Sequence, residues 1–103
     1  MDAAHVKLLT IVVGSEYKNE LSDTLKTLGV PGFTIGEVRG QGSHEPRISF
    51  WDGTNIKIEI LANAGVTERV LDYLNKNYLP RVALIAYVMD VAAIPAGQFE
   101  SKG

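Results

Sequence analysis

Two glycines one residue apart, Gly40 and Gly42, are the strongest candidate for chemistry in this sequence. Glycine adopts positive φ at little cost and lets a ligand approach the backbone closely. Successive backbone N–H groups in such a turn can form a concave site for an anion. We therefore predict that the backbone of Gly40, Gln41 and Gly42 contacts a phosphate or a small anion such as bicarbonate. An ordinary flexible loop is the competing interpretation, because an isolated G-x-G motif is weak.

The segment that follows these glycines, residues 41–54, is the predicted functional loop. It holds the only tryptophan of the chain, one of its two histidines and an arginine. Loops that carry such residues serve function more often than scaffold. A plain hairpin is the alternative, since Asp52-Gly53 is a hairpin turn signal.

The composition indicates one compact, globular, cytoplasmic domain. A chain of 103 residues suffices for a single domain over residues 1–103, and a hydrophobic share of 46% is typical of globular proteins. The net charge of −2 gives no basic excess for phosphate contacts, so we expect no nucleic-acid partner. The absence of cysteine excludes disulfides and thiolate metal sites. The chain begins without a signal-peptide pattern, and its apolar runs are too short to span a bilayer, which favours the cytoplasm.

The residue types present do not form a pattern typical of an enzyme. We find neither a nucleophile beside a base nor two carboxylates placed for acid–base work. His44 beside Glu45 is too small a set for a metal site. Glu59 lies in an alternating segment, where a carboxylate is more often exposed or paired than catalytic. We therefore expect a protein that is not an enzyme and holds no metal.

The first half of the chain predicts a strand, a helix and a second strand. Residues 6–13 are apolar and β-branched, as in a buried strand, and Ser15 after them is a predicted helix N-cap. Apolar residues then recur at helical spacing as far as Gly29, which we expect to end the helix. A turn at Pro31-Gly32 leads into a strand over residues 33–39. The apolar positions of this helix are Tyr17, Leu21, Leu25 and Leu28.

The second half repeats this order. Residues 55–61 alternate, with isoleucines on one side and Lys57 and Glu59 on the other. Residues 66–78 predict a helix that cannot continue through Pro80, and residues 82–91 predict a final apolar strand. The inward positions of this helix are Val66, Val70, Leu74 and either Leu71 or Tyr78. The order βαββαβ predicts an α+β, ferredoxin-like fold with an antiparallel sheet.

One face of such a sheet carries no helix. The isoleucines of residues 55–61 can cover only one side of their strand, whereas the last strand, with Tyr87 and Val91, is apolar on both sides. A large exposed apolar face usually indicates a partner. We therefore expect a closed homo-oligomer that buries it.

Three segments resemble the PII signalling proteins. Residues 29–42 are similar to the family segment G-(I/V)-x-G-(M/F)-T-V-x-E-V-(K/R)-G-x-G, which is fairly specific. Residues 56–60 are similar to the strand V-K-I-E-I, and residues 88–91 to the final strand V-F-D-V. The resemblance spans about nine tenths of the chain, in the same order. It implies a ferredoxin-like trimer, in which the loop at residues 41–54 corresponds to the partner-binding T-loop.

The resemblance also implies adenine-nucleotide sites in the clefts between subunits, near the base of that loop. Three of the implied residues have structural alternatives: Thr34 as an ordinary strand residue, Arg47 as a solvated surface charge, and Arg81 as a charge that complements a helix C-terminus. The implied nucleotide-binding residues are Thr34, Gly40, Gln41, Gly42, Ser43, Arg47, Leu61, Ala62 and Arg81.

Several departures from the nitrogen-sensing members favour a PII-like branch. Ser43 and His44 stand where those members have Arg and Gln, and Asn55 stands where they have the lysine that contacts 2-oxoglutarate. The glycine-rich B-loop is absent from residues 78–83, and the arginines after the last strand are replaced at residues 95–98. The loss of these cations implies AMP or ADP rather than ATP, with cyclic AMP and bicarbonate as further ligands of such branches. The implied protein partner is a bicarbonate transporter or a carboxysome-related protein.

Two other classes of function stay open on the sequence alone. One is a structural or cation-binding trimer of the same fold that binds no nucleotide. The other is an enzyme, for instance a slow phosphohydrolase. Calorimetric titration with nucleotides and bicarbonate would separate these classes.

Overall fold

The computed structural model describes residues 2–39 and 54–99. In these ranges the chain forms the predicted order of strands and helices, which confirms the α+β, ferredoxin-like fold. Two short 3-10 helices, Ser15–Tyr17 and Ala96–Gln98, precede the first α-helix and follow the last strand. The elements are β1 (Ala4–Gly14), α1 (Lys18–Thr27), β2 (Thr34–Val38), β3 (Asn55–Ala62), α2 (Ala64–Asn77) and β4 (Leu84–Ala93).

The sheet has the strand order β2-β3-β1-β4, and every pair of neighbours is antiparallel. Paired residues of an antiparallel sheet project to the same face, and neighbours along a strand project to opposite faces. Leu9 pairs with Ile60 and with Val88, so these three residues share one face. Leu8 pairs with Leu61 and with Met89, so these share the other.

Both helices pack on the face that carries Leu9. Leu9, Ile11 and Val13 of β1 are fully buried there, as are Leu21 and Leu25 of α1. The helical spacing of the sequence therefore predicts the correct inward positions. In α2 the buried residues are Thr67, Val70 and Leu74, and Tyr78 directly after the helix is buried as well. Val66 and Leu71 are half-buried.

The other face of the sheet carries no helix in the described ranges, and we call it the open face. Its residues on β4 include Tyr87 and Met89, which are 45% and 54% exposed. Its β3 residues include Lys57 and Glu59, both half-buried, so the face is apolar along β4 and charged along β3. The predicted exposed apolar surface is therefore present, but it is confined to part of the face.

Several predicted boundaries are wrong by a few residues. Ser15 does not cap α1; it lies in a 3-10 helix and its N–H bonds Thr54 O at 3.1 Å. Pro31-Gly32 forms no turn, because the chain already reverses at Gly29, whose φ is +86°. The last strand begins two residues later than predicted.

The delay of β4 has a local cause. The N–H groups of Arg81 and Val82 both bond Tyr78 O, at 2.9 and 2.7 Å, and this turn uses the residues that the apolar pattern assigns to the strand. Residues 78–83 therefore do not run straight from helix to strand.

The end of α1 and the start of α2 each have a side-chain hydrogen-bond partner. Asn63 is the N-cap of α2, since its Oδ1 accepts from Val66 N at 2.9 Å. Arg69 of α2 donates to Leu28 O at 2.7 Å, which satisfies a carbonyl at the end of α1. Neither helix is long and apolar enough to cross a membrane, as far as the described residues go.

Candidate functional site

An open groove of about 670 Å³ lies at one end of the open face. Leu8 of β1 and Leu61 of β3 are paired neighbours in its floor. The start of β2 forms one wall, and the end of β4 with the segment after it forms the other. The residues that line the groove are Leu8, Pro31, Gly32, Phe33, Thr34, Glu59, Leu61, Val91, Ala92, Ala93, Gln98 and Phe99.

Three side chains supply the polar groups of this groove. Thr34 and Glu59 are directly paired across β2 and β3, so the hydroxyl and the carboxylate lie side by side. Gln98 supplies an amide from the C-terminal segment. An ionised carboxylate only accepts hydrogen bonds, whereas a hydroxyl and an amide both donate and accept. The described lining has no Lys or Arg, so this groove favours a neutral, largely apolar group with hydrogen-bonding edges.

The C-terminal segment was not predicted as part of any site. The chain passes from Ala93 through the 3-10 helix Ala96–Gln98, and Gln98 and Phe99 then line the groove. Glu59 was not predicted as a ligand contact either. Strict alternation places Glu59 on the same face as Leu61, and this is the signal that could have identified it. The sequence around Phe99 carries no such signal, because the return of the chain is a tertiary feature.

Four of the predicted nucleotide residues lie in the described ranges, and the structure brings two of them together in the groove and places Ala62 and Arg81 outside it. Thr34 and Leu61 both line the groove. Ala62 is 5% exposed and projects to the helix-covered face, because it follows Leu61 in the strand. In this geometry the backbone of Ala62, but not its side chain, can contact a ligand in the groove.

The other predicted residues of the loop lie outside the described ranges. Their role in binding a phosphate or a small anion stays a prediction, and so does the extent of the functional loop at residues 41–54. These residues are Gly40, Gln41, Gly42, Ser43 and Arg47.

The base of that loop lies at the opposite end of the sheet from the groove. Val38, after which the loop begins, pairs with Asn55, and Asn55 also pairs with Gly14. Leu61 in the groove floor is six residues from Asn55 along β3, which corresponds to roughly 20 Å at about 3.4 Å per residue. In a single chain, one small ligand therefore cannot touch both the groove floor and the loop base.

Asn55 at the loop base has an unusual environment. Its side chain is 1% exposed, and its Nδ2 has no hydrogen-bond partner among the described residues. A buried amide donor without a partner carries a desolvation cost. This residue holds the position of the 2-oxoglutarate lysine of the nitrogen-sensing proteins that the sequence resembles.

Arg81 lies in the helix layer, at the same end as the loop base. Its guanidinium carbon is 5.1 Å from the centroid of the Tyr78 ring, and its Nη2 is 3.8 Å from Glu20 Oε2. Its side chain is 57% exposed, so it stays accessible to other partners. The alternative of a helix-end charge agrees with this placement, and its role as a phosphate ligand stays a prediction.

Tyr78 is the centre of an aromatic cluster beside Arg81. Its ring is 1% exposed, and its hydroxyl donates to Glu20 Oε2. The rings of Tyr17 and Tyr73 lie at centroid distances of 6.0 and 6.2 Å from it. Burial, followed by the hydrogen bond to the Glu20 carboxylate, raises the pKa of the Tyr78 phenol well above its ordinary value.

A second cavity of about 490 Å³ lies at the start of α2. His5, Lys7, Asn63 and Asp90 contribute its polar groups, and Lys7 forms an ion pair with Asp90 across β1 and β4. Within residues 2–39 and 54–99, no three His, Asp or Glu side chains are placed to hold a metal ion. This cavity therefore offers a paired cation rather than a metal site.

Comparison with family models matches residues 6–98 to the family described as nitrogen regulatory protein P-II. This match spans the whole of the described fold except its ends. Comparison with curated protein sequences finds no match.

Solved structures of PII-like proteins share the fold. A PII-like signalling protein from Thermus thermophilus is 37% identical with a TM-score of 0.81, over 97% of this chain and 100% of that chain. CPII from Thiomonas intermedia, bound to ADP, AMP and acetate, is 23% identical with a TM-score of 0.81, over 96% and 98% of the two chains. CPII bound to ADP and bicarbonate is 21% identical with a TM-score of 0.80, again over 96% and 98%. Because these two identities are only 23% and 21%, the similarity to CPII shows a shared fold and nothing further.

Proposed function

The chain belongs to the family of nitrogen regulatory P-II proteins, and from this membership we propose that it is a PII-like signalling protein that binds AMP or ADP. It acts as a cytoplasmic regulatory homotrimer and not as an enzyme. The nucleotide occupies a cleft between subunits, and its binding changes the state of the loop at residues 41–54. That loop then binds or releases a protein partner in inorganic carbon metabolism, a transporter or a carboxysome-related protein.

The observation that carries this proposal is the groove on the open face. Its apolar floor of Leu8 and Leu61 suits a flat aromatic base, and Thr34 and Glu59 stand at its edge. Adenine presents an amino donor at N6 beside acceptor nitrogens. The Glu59 carboxylate can accept a hydrogen bond from that amino group, and the Thr34 hydroxyl can donate one to a ring nitrogen. The base end of the nucleotide therefore belongs in this groove.

The phosphate end requires a second chain. No cation lines the described part of the groove, and in the same chain the loop base is roughly 20 Å from Leu61 in the groove floor and roughly 14 Å from Glu59 at the groove edge. A neighbouring subunit of a trimer can bring its own Gly40, Gln41 and Gly42 to the phosphate, with Arg47 or Arg81 as the nearest charges. This arrangement explains why the ligand site needs the assembly.

The trimer is supported by the exposed apolar residues of β4. Tyr87 and Met89 are about half exposed on the open face, and burying them against another copy removes apolar surface from water. A structure of CPII holds ADP with bicarbonate. By analogy of fold, we propose bicarbonate as the small anion for the backbone of Gly40 to Gly42.

Calorimetric titration with AMP, ADP, ATP and bicarbonate tests the proposal. AMP and ADP should bind at least as tightly as ATP, because the B-loop and C-terminal cations of the nitrogen-sensing proteins are missing here. A hydrogen bond to a charged group contributes roughly 1.5–3 kcal/mol, so Glu59→Gln should weaken AMP binding by about tenfold. Glu37→Gln is the matched control, since Glu37 is exposed and projects to the other face of β2.

Two results would contradict the proposal. Unchanged AMP affinity in Glu59→Gln would place the base outside the groove. ATP with magnesium binding much more tightly than ADP would mean that other cations replace the missing ones.

A further inference from the structure

We propose that the C-terminal segment, residues 96–99, is part of the nucleobase site: Phe99 stacks on the base and Gln98 hydrogen-bonds its edge. This inference rests on the proposed binding of AMP or ADP. It assigns base recognition to a segment that follows the last strand and that contributes no charge to the phosphate.

The path of the chain brings this segment across the sheet. β4 and β2 are the two edge strands, separated by β1 and β3, so they lie roughly 14 Å apart at about 4.8 Å per strand. Gln98 and Phe99 come five and six residues after the end of β4, and they line one groove together with Pro31 and Thr34 near β2. The segment therefore closes the groove at the end of the sheet.

The segment has a defined backbone conformation. Gln98 N–H bonds Pro95 O at 3.2 Å, and Phe99 N–H bonds Ala96 O at 3.0 Å. These bonds form the single turn of 3-10 helix Ala96–Gln98, which fixes the backbone from which Gln98 and Phe99 project. A preformed wall of this kind lowers the entropy lost when a ligand binds.

A nucleobase in the groove needs an aromatic partner and a hydrogen-bond donor, and Phe99 and Gln98 supply these two groups. Leu8 and Leu61 give an apolar floor, and a flat base that lies on it leaves its second face open to an aromatic ring. Glu59 can only accept hydrogen bonds, so the ring nitrogens of a base need donors from elsewhere. The Gln98 amide is a donor of this kind, beside the Thr34 hydroxyl.

The test compares a ligand that has a base with one that lacks it. Stacking on an aromatic side chain is worth enough that Phe99→Ala should raise the Kd for AMP by about tenfold. Phe99→Tyr keeps the ring and should stay within about twofold. Binding of ribose 5-phosphate, which has no base, should be the same in all three proteins. Gly97→Ala is the control within the same turn, because a Cβ at Gly97 meets nothing within 4 Å.

The role of Gln98 is tested separately, by comparing the Kd for AMP with the Kd for ribose 5-phosphate. Gln98→Leu keeps the approximate size of the side chain but removes its donor. It should raise the Kd for AMP by about fivefold and leave ribose 5-phosphate unchanged. Equal AMP affinity in Gln98→Leu and the natural protein would remove Gln98 from the site.

A fluorescence measurement gives an independent readout. Trp51 is the only tryptophan, so Phe99→Trp combined with Trp51→Phe places a single fluorophore in the groove wall. AMP should quench its emission, whereas ribose 5-phosphate should not. Size-exclusion chromatography with light scattering confirms that each variant keeps the assembly of the natural protein.

The outcomes separate this inference from the proposed function. If the natural protein binds AMP, Glu59→Gln weakens it and Phe99→Ala does not, the nucleotide function stands and the inference is overturned. If Phe99→Ala weakens AMP and ribose 5-phosphate equally, the segment acts on something other than the base, and the inference is again overturned. If the natural protein binds no adenine nucleotide, both are overturned.

Discussion

Replacing Tyr78 by phenylalanine should destabilise the fold by about 1 kcal/mol at neutral pH. The Tyr78 ring is 1% exposed, and phenylalanine fills the same space without creating a cavity. The change therefore isolates the hydrogen bond from the Tyr78 hydroxyl to Glu20 Oε2. Hydrogen bonds to charged groups contribute roughly 1.5–3 kcal/mol, but the Glu20 side chain is 54% exposed and water can replace its lost partner. We therefore expect a loss of about 1 kcal/mol, somewhat below that range.

Urea unfolding measured at one fixed protein concentration gives this quantity, since association would otherwise shift the apparent stability. A loss of about 1 kcal/mol corresponds to a fall in Tm of about 4–8 °C for a domain of this size. A double-mutant cycle with Glu20→Ala isolates the pair. The coupling energy should account for most of the loss, because each single change removes the same bond.

The pH dependence gives a sharper test, with a definite sign. The pKa of Tyr78 is raised from an ordinary value of 10.0 by burial and by Glu20, so the folded protein keeps the phenol protonated after the unfolded chain begins to release its proton. The stabilising effect is complete below pH 10 and is lost as the pH rises above it. Tyr78→Phe has no such proton, so its deficit should shrink by about 1.4 kcal/mol per pH unit above pH 10. Parallel stability curves for the two proteins across that range would refute the reasoning.

Two further predictions concern a backbone position and the assembly. Gly29→Ala should cost about 1–2 kcal/mol in urea unfolding, because φ is +86° there and the new Cβ would lie 3.0 Å from Arg69 Nη1, whereas Gly97→Ala should cost nothing measurable. Met89→Glu should convert the proposed trimer to monomers in light scattering, because Met89 is 54% exposed on the open face and a buried charge there would oppose association. Lys76→Glu, at an exposed position of α2, should leave the mass unchanged. An unchanged mass for Met89→Glu would place the interface elsewhere.

The sequence predicts the elements of this fold better than their ends. Alternation in residues 55–61 and helical spacing up to Gly29 depend on which residues are buried, and burial repeats along each element. The ends depend on single hydrogen bonds. Ser15 could have been an N-cap, but its N–H bonds Thr54 O, and the start of β4 moves because Tyr78 O accepts twice. Partners of this kind are not encoded in a local pattern.

The groove could be predicted only in part for a related reason. Thr34 and Leu61 follow from the resemblance of the chain to a family, and the register of β2 and β3 adds Glu59 to them. Phe99 enters the groove because the chain crosses the end of the sheet after β4. That crossing joins segments that are distant in the sequence, and no spacing rule predicts it.

The register of the sheet links binding to assembly. Leu61 in the groove floor and Asn55 at the loop base are six residues apart on one strand, roughly 20 Å, and Glu59 at the groove edge is four residues from Asn55, roughly 14 Å. If the base lies on the groove floor and the phosphate meets the backbone of Gly40 to Gly42, we expect the two halves of the site to come from different subunits. The nucleotide then binds only the assembled form and stabilises it by mass action. On this proposal the exposed apolar residues of β4 and the groove, whose described lining has no Lys or Arg, depend on the same interface, because the contact that would bury Met89 would also complete the ligand site.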